Sequence, residues 1–184
     1  MNVIARVWHA ACNEAVKPKT YVKGETFEDF LRRVIFPAPH YALEAMTHDY
    51  SVNREDFVES SIMPDFRFRD RASGRTFYVE AKYRARFYHG GVDWCQQYQL
   101  QRYLDIDLTT PVLIAIGLGG TPASPEYVFL FPVGGVRYTH LFPSFLRSYE
   151  IPRDCVAPDR LHELLEENSD EREPSDMPVL SAGK

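Results

Sequence analysis

The chain has 184 residues, is 45% hydrophobic and 14% aromatic, and carries 21 basic against 26 acidic side chains, a formal net charge of −5. Residues 159–184 hold 8 acids and 3 bases, so the rest of the chain balances at 18 against 18 and the acidity belongs to one end. The length fits one domain with a sizeable core, and the composition excludes a disordered or fibrous chain. The longest apolar run, Val112 to Ile116, is too short to span a bilayer, so no membrane partner is expected. The start, MNVIARVWHAACNEAV, lacks a secretory signal pattern. Cys12, Cys95 and Cys155 lie far apart with no CxxC pair, which favours a reducing, cytoplasmic setting without structural zinc.

In chain order, residues 1–23 read as a short strand or arm. From Gly24 to Phe36, apolar Phe27, Phe30, Leu31, Val34 and Ile35 recur at helical spacing, with Thr26 as cap and Pro37 as stop. Tyr41 to Met46 fits helix or strand, and 53–61 reads as irregular. Met63 to Tyr83 predicts a hairpin: Phe66 and Phe68, then Phe77, Val79 and Ala81, alternate with polar residues around a turn at Arg71-Ala72-Ser73-Gly74. One face is expected to be apolar and the other to carry every charge. Residues 92–107 predict a helix with Trp94, Tyr98, Gln101 and Leu104 or Asp105 along one stripe. PVLIAIGL, 111–118, predicts a strand buried on both faces. A further strand is expected over 126–133, a short helix over 142–149, and a helical turn or two from Leu161 before a disordered acidic tail. The order gives a mixed α/β layout around one sheet, a single domain over 1–158 and a tail over 159–184.

The hairpin holds the residues that point to chemistry. Glu80 and Lys82, two apart on a strand, project from one face, and the hairpin brings Asp65 near Glu80. Paired carboxylates repel unless a cation sits between them, and a hard divalent cation such as Mg²⁺ favours such oxygen ligands. An acid-x-base strand is also the ordinary pattern of a surface ion pair.

The stretch MPDFRF…FYVEAKYR resembles the core motif of the PD-(D/E)XK nuclease superfamily, with Pro64-Asp65 and Glu80-Ala81-Lys82 as its two halves. Upstream, Gly24, Phe27 and Glu28 resemble the G-x-x-F-E of that superfamily's first helix. Downstream, Gln99 to Tyr103 resembles the Q-x-x-x-Y motif of RecB-type members. The resemblance covers residues 24–103 and implies a restriction-endonuclease-like core with a mixed central sheet flanked by helices. It further implies a Mg²⁺-dependent nuclease acting on DNA, with Mn²⁺ as a substitute. Asp65, Glu80, the Ala81 carbonyl and Glu28 are then the metal ligands. Lys82 positions the attacking water or neutralises developing charge, and Gln99 and Tyr103 hold the phosphate backbone or buttress the site.

Seven basic residues between Arg67 and Arg86 face only Asp70 and Glu80. They suit phosphate contacts, Arg84 and Arg86 above all, or else form a solvated rim. Phe87-Tyr88-His89-Gly90-Gly91 reads as a flexible loop that stacks on a base, gates the cleft or simply packs; His89 is an acid–base candidate or incidental. The acidic tail is a solubilising end or a competitor of DNA. Rival readings are a catalytically inactive nucleic-acid-binding or assembly module and a hydrolase of another phosphoester. With no appended specificity domain in sight, a homodimer or partner protein is expected to supply specificity.

Overall fold

A computed structural model of the chain describes residues 26–47 and 63–170, the last four of these by backbone alone. The arm expected over 1–23, Gly24, the stretch 53–61 and the end of the tail lie outside the described residues.

The first helix, α1, runs over 26–30 and widens into a π turn at Leu31–Ile35, where the Phe36 N–H reaches the Leu31 carbonyl at 2.7 Å. Thr26, expected as its cap, is already helical. Phe27, Leu31 and Ile35 are fully buried, as the apolar spacing requires, and Pro37 follows the last turn. Then come β1 (Tyr41–Met46), β2 (Phe66–Asp70), β3 (Thr76–Arg84), β4 (Val92–Asp93), α2 (Gln97–Asp107), β5 (Val112–Leu118), β6 (Tyr127–Pro132), β7 (His140–Leu141), α3 (Pro143–Leu146), β8 (Glu150–Ile151) and α4 (Pro158–Asp170). The fold is mixed α/β. Six strands form one sheet in the order β1-β2-β3-β5-β6-β8, antiparallel except for the central β3–β5 pair, and β4 pairs with β7 in a separate ribbon. The Tyr41–Met46 segment is therefore a strand. No helix among the described residues is long and apolar enough to cross a membrane.

Both faces of the sheet are covered. On one, Phe66, Phe68, Phe77, Val79, Leu113, Ala115, Val128 and Leu130 meet the apolar sides of α1 and α4. On the other, Val112, Ile114, Ile116, Phe129 and Phe131 meet Leu100 and Tyr103 of α2, with Trp94 and Leu141. The central strand β5 is buried along its whole length, as its unbroken apolar run predicts. Gly117 is needed there, because a Cβ at that position would come within 2.5 Å of the Phe27 ring.

Three expectations change. The helix predicted over 92–107 begins only at Gln97; Val92 and Asp93 form β4 instead, paired with Leu141 and His140. Its buried stripe is Leu100, Tyr103 and Asp107, whereas Tyr98 is 67% exposed. The last helix is 13 residues long, and Leu161, Leu164 and Leu165 are wholly buried, so the residues just past 158 belong to the packed body rather than to a tail. Finally, charge is not confined to one face of the hairpin. Asp70 shares the inner face with Phe66 and Phe68 and is completely buried.

Asp70 has a structural reason to be there. Its carboxylate accepts from the Ala72 and Ser73 backbone N–H groups at 3.2 and 2.9 Å and from the Ser73 hydroxyl, closing the turn, and it contacts His162 Nε2 of α4 at 3.1 Å. Burial alone would raise its pKa, but these hydrogen bonds outweigh it and hold the carboxyl down at about 2. A pKa lower in the folded than in the unfolded chain stabilises the fold above the unfolded value, and that contribution drains away as pH falls towards the folded one. Asp70→Asn is therefore expected to destabilise the protein at neutral pH by about 1–3 kcal/mol in urea denaturation. The deficit should shrink between pH 3.8 and about 2. A deficit that is the same across that range would contradict this role.

Candidate active site

The hairpin register sets the site. Phe66 pairs with Val79, so Asp65, one step before β2, falls opposite Glu80. Its Oδ2 accepts the Ala81 backbone N–H at 2.7 Å, which locks the carboxylate onto β3. Phe77, Val79 and Ala81 face the first core; Tyr78, Glu80 and Lys82 face the second. Glu80 is 2% exposed, and Lys82 Nζ is ion-paired with Glu80 Oε1. Tyr103, on the inner stripe of α2, hydrogen-bonds Glu80 from above. The acid-bearing face is thus the floor of a second core under α2, and not the solvated side of a hairpin.

Burial and charge act together here. Burial is the main force pushing the Asp65 carboxyl well above the ordinary range; the neighbouring Glu80 and, more weakly, Glu28 push it the same way, against Lys82 and the Ala81 N–H. Burial pulls the Lys82 ammonium down, but the Glu80 and Asp65 carboxylates more than reverse this, so its pKa is raised and it stays charged. Lys82 is therefore suited to neutralise anionic charge and not to accept a proton. Tyr103 is pushed up by burial, then by Glu80, and stays a neutral hydroxyl that can donate.

Asp65, Glu80, Ala81, Lys82 and Glu28 are thus brought together. Among the described residues no group of three or more His, Cys, Asp and Glu is close enough to hold a metal ion unaided. The donor set still fits one kind of ion. Asp65 and Glu80 offer hard oxygens only, and Mg²⁺ binds through one or two carboxylates while keeping several waters. The raised Asp65 pKa marks a place where added positive charge is favoured.

The other expected site residues make the following contacts. Gln99 Oε1 accepts the Gln96 N–H at 2.9 Å, so this side chain caps α2. Tyr103, 3% exposed, hydrogen-bonds Glu80, the buttressing arrangement among the two expected for it. Arg84 Nε donates to the Asp93 carbonyl at 2.8 Å and another of its nitrogens to the Tyr83 carbonyl at 3.0 Å, which ties the end of β3 to β4. Arg86 is exposed. Arg67 and Arg69 share Glu44 of β1, at 3.3 and 2.9 Å, and Arg75 lies 3.9 Å from Glu166. Acids distant in sequence thus offset much of the basic run. Tyr78, whose bulk the motif does not explain, packs at the second core, with the Arg67 guanidinium 5.9 Å from its ring centre. The 87–91 segment is a tight turn: Tyr88 and Gly91 exchange backbone hydrogen bonds around His89 and Gly90, both at positive φ (49° and 79°).

Two features escape sequence reasoning. Cys95 lies within the field of Lys82 and Glu80, and burial, the largest influence on it, pushes its thiol up to about 12. His140 Nδ1 and Asp93 Oδ1 meet at 2.6 Å across the β4–β7 ribbon. Neither has a spacing signal, since 47 residues separate the second pair.

No protein-family model matches the chain, and no curated protein matches it. Among solved structures, the chain is similar to Hjc of Archaeoglobus fulgidus, a Holliday junction resolvase from an archaeal hyperthermophile. The TM-score is 0.40 at 12% identity, over 60% of this chain and 81% of that one. At that level the functional reading rests on the geometry alone.

Because the Asp65 pKa is raised by folding, the folded state holds a proton that the unfolded state releases. The group therefore opposes folding in full above the folded pKa, and that penalty drains away as pH falls from there to the ordinary value of 3.8. Asp65→Asn keeps an acceptor for the Ala81 N–H. In EDTA it is expected to raise the unfolding midpoint at mildly alkaline pH and to lose that advantage at acid pH. A variant less stable than wild type at alkaline pH would show that Asp65 is not a destabilised carboxylate.

Proposed function

We propose that this chain is a metal-dependent nuclease of restriction-endonuclease-like design that hydrolyses DNA phosphodiester bonds, as an endonuclease, at Asp65, Glu80 and Lys82. The observation that carries this reading is the pair of facing carboxylates, half-buried Asp65 and buried Glu80, beside a lysine that stays charged. The order helix, hairpin, helix, parallel strand supports it, with Phe27 and Glu28 on α1, Asp65 just before β2, Glu80, Ala81 and Lys82 on β3, and Gln99 and Tyr103 on α2. The folded body, α1 to α4, would act as one domain, with a homodimer or partner protein supplying specificity.

Asp65, Glu80 and the Ala81 carbonyl would hold Mg²⁺, or Mn²⁺ in its place, with Glu28 contributing directly or through water. The ion would polarise the phosphate and lower the pKa of a bound water. Asp65 is held in position by the Ala81 N–H and Glu80 by Tyr103, so both carboxyl groups are oriented before an ion binds. Lys82 would exchange Glu80 for the scissile phosphate and stabilise the charge that builds on its oxygens. Arg86, exposed just past the lysine, would contact a neighbouring phosphate.

The test is to incubate the protein with supercoiled, linear and single-stranded DNA in Mg²⁺, Mn²⁺ or EDTA. Cutting is expected with either metal and none in EDTA. Lys82→Ala should slow it by about 10²-fold or more. Undiminished cutting by Lys82→Ala would overturn the site. Metal-independent binding without cutting under any condition would favour the inactive binding module.

A further inference from the structure

Beyond the carboxylate site, the same face of the sheet holds a cavity of about 190 Å³ among Phe87, Leu118, Tyr127, Phe129, Arg147 and Glu150. It is built from four separate parts of the chain: the turn after β3, the end of β5, the start of β6, and the segment from Arg147 to Glu150 after α3. Leu118 and Phe129 belong to the second core, so the cavity opens on the side that carries Glu80 and Lys82. Register fixes how near it is. Lys82 pairs with Ile116 on the neighbouring strand, and Leu118 is two residues further along β5, so the near wall of the cavity lies roughly 8 Å from Lys82 along the backbone grid, with Tyr127 one strand beyond. That is within the reach of a few nucleotides of a strand.

The walls select for a flat, unsaturated ring. Phe87 and Tyr127 are 40% and 41% exposed, high for such large apolar groups, and the Tyr127 and Phe129 rings lie nearly parallel, 11° apart with centroids at 6.3 Å. The volume is below the roughly 300–1,000 Å³ of drug-sized sites, so it suits a single ring system. At the rim stand a donor fork, Arg147, and an acceptor, Glu150, both exposed and neither in an ion pair among the described residues. Guanine matches both, since O6 and N7 accept from an arginine and the N2 amino group donates to a carboxylate. A base still stacked and paired in a duplex cannot enter such a pocket.

We propose that this pocket receives an unpaired nucleobase of the DNA being cut, guanine best, within a few nucleotides of the scissile phosphate. The proposal rests on the nuclease reading and names the substrate class it implies: DNA with an unpaired or single-stranded residue beside the cut.

The test uses the full chain in EDTA, so that binding is read without cleavage. Fluorescence anisotropy compares a labelled hairpin duplex ending in a short overhang with one unpaired dG against the same molecule with an abasic residue there. The base-bearing strand is expected to bind about tenfold tighter. The ratio should fall towards one in Arg147→Ala and in Phe87→Ala, two exposed positions whose folding circular dichroism can verify. Equal affinity of wild type for both strands, or a ratio that survives both variants, would overturn the proposal. Guanosine monophosphate binding as tightly as the strand would also overturn it and assign the pocket to a free nucleotide. Failure of wild type to cut any DNA with metal would instead strike the nuclease reading, and the base-to-abasic ratio remains separately measurable.

Discussion

The architecture turns on one constraint, the burial of Glu80 beside Asp65. A carboxylate removed from water is costly, and two of them facing each other are costlier still. Here the cost is met locally. Lys82 sits on Glu80, Tyr103 donates to it from α2, and the Ala81 N–H occupies Asp65. These contacts demand a rigid frame, because an ion pair in a dry interior roughly breaks even only when its geometry is kept. The frame is the double-sided sheet. One core clamps the hairpin from α1 and α4, and the other brings α2 down onto β3 and β5. A stable apolar sandwich thus tolerates a charged pocket that, by itself, favours protonation or an added cation.

The surface charge follows a different logic. The basic run from Arg67 to Arg86 looks free along the chain, yet the fold answers it. Glu44 bridges Arg67 and Arg69, Glu166 lies against Arg75, and backbone carbonyls take up Arg84. Exposed pairs of this kind contribute little stability, but they lower the positive field that a polyanion would meet. What remains beside the site is local: the charged Lys82 and the exposed Arg86. Binding of DNA would then depend on contacts placed near the cut more than on a broad basic surface.

The hairpin was legible because strand alternation and turn chemistry agreed, and the facing of Asp65 and Glu80 followed from it. The α1 stripe and the apolar β5 run were legible for the same reason: their period is local. The second core was not. Whether the polar side of β3 faces water depends on α2, and its inner stripe of Leu100, Tyr103 and Asp107 is masked by the glutamines around it. The C-terminal helix was hidden by its acids, of which Asp159, Glu163 and Glu166 lie exposed on a helix whose three leucines are buried. Asp70 read as a solvated charge because its partners are backbone groups of the turn and a histidine 92 residues away. The Phe87–Glu150 cavity joins segments that no spacing rule connects.

If Asp65 and Glu80 form one cation site, a crystal grown with Mn²⁺ and examined by anomalous scattering will show it. A peak bound by both carboxylates and the Ala81 carbonyl is expected, with Lys82 Nζ moved off Glu80. A fully occupied Mn²⁺ elsewhere, with the Lys82–Glu80 pair intact and no peak between the acids, would contradict it.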